Sequence, residues 1–158
     1  MHFIAPQPLG ESEMIKCPYH TGVYHENLDL LVCHPKGKLN ADKLNDIANC
    51  RECIQKAGLF QTNRFHNLTD ITSIDLGFDD VHRICQAESR MRQTDGPIKA
   101  CYLVPNDLLY GTIRMYQALI ASSGVEVHVS RNIDELAKIL GVDSSRLIDD
   151  SAPGSNKR

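Results

Sequence analysis

The stretch from Ile98 to Gly141 limits the fold more than any other part of the chain, because its hydrophobic period keeps changing along it. "IKACYLV" is a continuous apolar strand, stopped by Pro105. Asn106 then caps a helix in which Leu109, Ile113, Tyr116 and Ile120 form one stripe, and Ser123-Gly124 ends it. "VEVHV" alternates as a strand with one face less buried than the other. Asn132 opens a further helix, closed by Gly141. Strands and helices that succeed each other in this way need crossover connections, so the strands lie parallel in one sheet.

Upstream, the runs Gly22 to His25 and Leu28 to Cys33 meet around "ENLD", a hairpin signal. Pro35-Lys36-Gly37 breaks the second run. Asn40 reads as an N-cap with Leu39 and Leu44 as a hydrophobic staple, and Leu44, Ile47, Cys50, Ile54 and Ala57 then line one helix face up to Gly58. "RFHNLT" reads as a strand, polar for its type, and Phe78, Val81, Ile84, Cys85 and Met91 mark the next helix, with Asp79 and Asp80 in its first turn. "SSRLIDD" adds a final turn. The expected order is β-β-α-β-α-β-α-β-α. It makes an α/β fold with a mainly parallel sheet of four to five strands, an initial hairpin and four covering helices. Residues 1–18, with Pro6, Pro8, Gly10 and Pro18, read as an irregular arm, 19–150 as one domain, and 151–158 as a disordered tail.

Composition narrows the function classes. A net charge of -3 with both signs interleaved offers no clustered basic face, so nucleic acid is not an expected partner. No apolar run approaches the ~20 residues that span a bilayer. The opening Met1-His2-Phe3-Ile4-Ala5-Pro6 lacks a charged region followed by an apolar one, so no signal peptide and a cytoplasmic location are expected. The six cysteines are then expected to be reduced thiols.

Cys50-Arg51-Glu52-Cys53 has the spacing of a redox or zinc half-site, but it lies mid-helix, shares a face with Ile47 and Ile54, and has no second pair. It reads as core packing. Cys17, His20 and His25 would supply only three metal ligands, on a proline-containing arm. No nucleophile elbow, phosphate loop or dinucleotide fingerprint occurs, so no catalytic residue, cofactor or metal is expected. Ligands of open parallel sheets bind outside the carboxyl ends of the strands, which here means Thr72, Ser73 and Asp75, Asn106 with Asp107, and Arg131 with its neighbours Ser130 and Asn132. Tyr110 and Arg114 share a face of the third helix beside Gly111. Gly111 reads as either a close approach to a strand or room for a ligand, and Arg114 as either solvated or a contact.

The segment "VPNDLLYGTIRMYQALIASSGVEVHVSRNIDELAKILGV" resembles a bacterial subgroup of the STAS domains, the anti-sigma-factor-antagonist fold. Gly111, Arg114 and Met115, then Arg131, Glu135, Ala137, Leu140 and Gly141 carry the likeness, which covers residues 20–142. The resemblance implies a STAS-like domain acting as a non-enzymatic regulatory module with a protein partner. The alternative is a carrier or sensor of a small anionic or lipid-like ligand, and self-association as a homodimer is a further expectation. Antagonist members of the family are phosphorylated on a serine that follows an aspartate after the third strand. In "NLTDITSIDLGF", Leu68, Thr69, Ile71, Ile74 and Asp75 fit that pattern, but Leu76 and Gly77 stand at the hydroxyl positions. The resemblance therefore implies a module without the usual phospho-switch.

Overall fold

The computed structural model describes residues 12–16, 21–92 and 97–148. Its main sheet has six strands: β1 (Ser12–Lys16), β2 (Thr21–His25), β3 (Leu30–Cys33), β5 (Asn63–Asn67), β7 (Ile98–Leu103) and β8 (Val125–Ser130), side by side in that order. β1, β2 and β3 form an antiparallel meander, and β3, β5, β7 and β8 run parallel. Two further strands, β4 (Gly37–Asn40) and β6 (Ile71–Asp75), pair parallel in a separate ribbon. The helices are α1 (Leu44–Lys56), α2 (Phe78–Met91), α3 (Asp107–Ile120), α4 (Ile133–Leu140) and the single turn α5 (Ser145–Ile148).

Register decides which side chains meet which helices. Leu31, Arg64, Ala100 and Val127 are cross-strand neighbours, as are Val32, Phe65, Cys101 and His128, so the two rows point to opposite faces. The first face packs under α1, α2 and α3 through Val81, Cys85, Leu109, Ile113, Tyr116 and Ile120. On the opposite face Leu30, Phe65, Cys101 and Leu103 meet Leu136, Ala137 and Leu147 of α4 and α5. Each parallel strand is laid beside the last in the same direction. Right-handed crossovers then put successive helices on one face.

The α/β order and the helix stops appear as expected. The Asn106 side chain accepts from the Leu109 amide at 2.9 Å, and Gly124 and Gly141 end their helices in the left-handed region at φ 82° and 73°.

Other expectations are corrected. Ser12–Lys16, expected within an irregular arm, pairs along the open edge of β2, so the hairpin becomes a meander. The sheet therefore exceeds the four to five strands expected. Asn40 ends β4 opposite Asp75 and makes no side-chain cap bond; a 3₁₀ turn at Ala41–Lys43 follows it and leads into α1. Phe78, expected on the core face of α2, is 56% exposed and stacks on His82, while Glu88 completes the buried stripe with Val81 and Cys85. Cys17, His20 and the 151–158 tail lie outside the described residues.

Candidate functional site

The structure places the seven expected site residues, five at the rim with Tyr110 and Arg114 on α3, in separate groups. Thr72, Ser73 and Asp75 are exposed on β6, paired with β4. Asn106 is occupied as the α3 cap, and Arg131 donates to Asp107 at 2.6 Å, both side chains being well exposed. Tyr110 packs half-buried against the core, while Arg114 is exposed. Among the described residues no hydrogen bond or ion pair joins the β6 group to the others. The space beside Gly111 is open: a Cβ built there meets nothing within 4 Å. Neither a strand nor any other group approaches it closely, which corrects the close-packing reading. Gln117, on the same side of α3 as Arg114, donates to the Val127 carbonyl at 2.7 Å and so caps part of the β8 edge.

The concentration of buried polar groups lies instead under α1 and α2. Glu88, fully buried, forms ion pairs with Arg51 Nε at 2.5 Å and with Arg64 Nη2 at 3.1 Å. Arg64, also fully buried on the central strand β5, bonds the Phe60 carbonyl at 3.1 Å and lies 4.9 Å from the centre of the Phe60 ring. Its Nε and Nη1 have no hydrogen-bond partner. Burial pushes the Glu88 carboxyl up, but Arg51, Arg64 and Arg92 outweigh that and hold it below its ordinary value. Burial likewise works against the charge on Arg51, and Glu88 more than restores it, so Arg51 remains a guanidinium. Three buried guanidiniums thus surround one carboxylate, two of them in direct ion pairs with it, an excess of two positive charges.

Beside this cluster, between the sheet and α1–α3, is a cavity of about 110 Å³. Its apolar lining comes from Leu39 of β4, Leu68 and Leu76 around β6, Ile47, Val81, Ile84 and Ile113. Its polar lining comes from Cys50, Arg51, His66, Tyr102, Thr112 and Tyr116. His66 and Tyr102, neighbours in the β5–β7 register, stack at 4.4 Å with planes 5° apart. Tyr116 of α3 meets Tyr102 edge to face at 5.9 Å. Burial raises both phenols above their ordinary value, so both remain hydroxyls able to donate. An apolar chamber with a few convergent polar groups is the usual form of a small-molecule site.

The thiols are consistent with packing. Burial pushes Cys33 and Cys101 up to about 12 and Cys85 to about 11. Cys50 is buried at the cavity wall, whereas Cys53 is half-buried. No group of three metal-capable side chains occurs among the described residues.

Sequence reasoning missed this cluster although a signal was present. Arg64 and His66 alternate in "RFHNLT", and Glu88 continues the Val81–Cys85 stripe at helical spacing. Polar residues at core-facing positions of adjacent elements should have been read as partners. No helix among the described residues is long and apolar enough to cross a membrane. No family model matches the chain, and neither the curated proteins nor the solved structures contain a match to it.

Proposed function

We propose that the chain is a non-catalytic regulatory module of STAS-like type whose input is a small, partly apolar ligand held between the sheet and α1–α3. A protein partner reads its occupancy. The cavity carries this reading, because it places six polar side chains around an apolar chamber at the carboxyl ends of the parallel strands. The ribbon of β4 and β6 contributes Leu39 and borders on Leu76, so a ligand would touch the part of the rim most open to a partner. The usual phospho-switch is absent from this reading. Leu76 faces the cavity, and the Gly77 amide is tied to Asp80 Oδ2 at 3.0 Å to start α2.

The test is thermal unfolding and native mass spectrometry with a neutral probe, hexan-1-ol, against the parent protein and Ile84→Phe. Ile84 is half-buried on the cavity wall, so the larger ring takes up space in the chamber. The parent should gain melting temperature with probe concentration, by mass action on the folded state, and Ile84→Phe should not. An equal response from both proteins would remove the cavity as the site.

A further inference from the structure

We propose that the ligand is a short-chain carboxylate. Its head group lies in an arginine-lined groove between α1 and α2, and its chain enters the cavity beneath. This rests on the cavity reading above and adds to it the ligand class and a second half of the site. The groove, about 190 Å³, is lined by Arg51, Arg83 and Arg90 and by no acidic side chain. It shares Ile47, Arg51 and Ile84 with the cavity, so those three side chains stand between the two spaces, and the proposed chain passes beside the half-buried Ile47 and Ile84.

Three observations select a carboxylate. The Arg51 side chain keeps 11% of its surface exposed and pairs with Glu88 through its Nε. Arg83 is 66% exposed, and its ion pair to Asp80 is long at 3.5 Å. Arg51, Arg64 and Arg92 are all buried around Glu88 and exceed it by two charges, so an added anion offsets part of that excess. A guanidinium fork pairs with a carboxylate through two parallel hydrogen bonds. The chain length follows from volume. A dry apolar cavity of ~150 Å³ accepts the six carbons of benzene, so the cavity of about 110 Å³ suits about four carbons, the remaining methylene of a hexanoate chain lying at the wall the two spaces share.

Calorimetric titration of the full-length protein with hexanoate, hexan-1-ol, acetate and inorganic phosphate tests the proposal, with Arg83→Gln/Arg90→Gln as the variant. Both changes are on the surface, and an unchanged melting temperature verifies the fold. Hexanoate should bind about tenfold more tightly than hexan-1-ol or acetate, and the double variant should lose about tenfold toward hexanoate alone. Hexan-1-ol binding as tightly as hexanoate, or a variant without effect, would overturn the head-group site and leave the cavity reading standing. Acetate or phosphate matching hexanoate would overturn the chain's place in the cavity. If none of the probes binds, the proposal and the cavity reading fall together.

Discussion

Glu88 has no exposed surface and two guanidiniums upon it, so its removal should be felt more than that of any surface charge. Glu88→Gln leaves both cations buried without a counter-charge, and should cost about 3–5 kcal/mol by chemical denaturation. The pH dependence has a definite sign. The native carboxyl lies below its ordinary 4.5, so its contribution is complete above that pH and is lost as pH falls from there through the native value. Glu88→Gln should flatten this part of the acid unfolding curve, and an unaltered curve would deny the ion cluster its role. At Gly111, where the space for a Cβ is open, Gly111→Ala should stabilise by up to ~1 kcal/mol. Arg114→Ala should stay within ~0.5 kcal/mol, since the side chain is exposed. Thiol labelling should modify half-buried Cys53 before Cys33 or Cys101, whose thiols burial holds at about 12.

Among the elements, α3 and the strands around it were legible because each local signal agreed with the tertiary outcome. "IKACYLV" is buried on both faces, and the Leu109–Ile113–Tyr116–Ile120 stripe is the buried one. Asn106→Ala should therefore cost about 1 kcal/mol, because a Leu109 amide loses its acceptor. The start of α1 was misread for a physical reason. Asn40 is drawn into the β4–β6 pairing, between segments remote in sequence, and a 3₁₀ turn separates it from α1, which starts at Leu44. The same holds for β5. Arg64 and His66 look solvent-facing until Glu88 and Tyr102 are seen beside them. At the expected rim, helix capping engages Asn106 and an exposed ion pair joins Arg131 to Asp107.

At the scale of the whole molecule, a meander followed by parallel strands with three helices on one face leaves one apolar interior and one polar cluster within it. The proposed ligand site joins them, and Arg51 belongs to both. Methyl-resolved NMR of the full chain, titrated with hexanoate, locates binding directly. The methyl signals of Ile47, Leu68, Leu76, Val81, Ile84 and Ile113 should shift together with one affinity, while those of Leu136 and Leu147 on the opposite face stay in place. Shifts confined to exposed Leu108 and Ile148, or none at all, would contradict a ligand in the cavity.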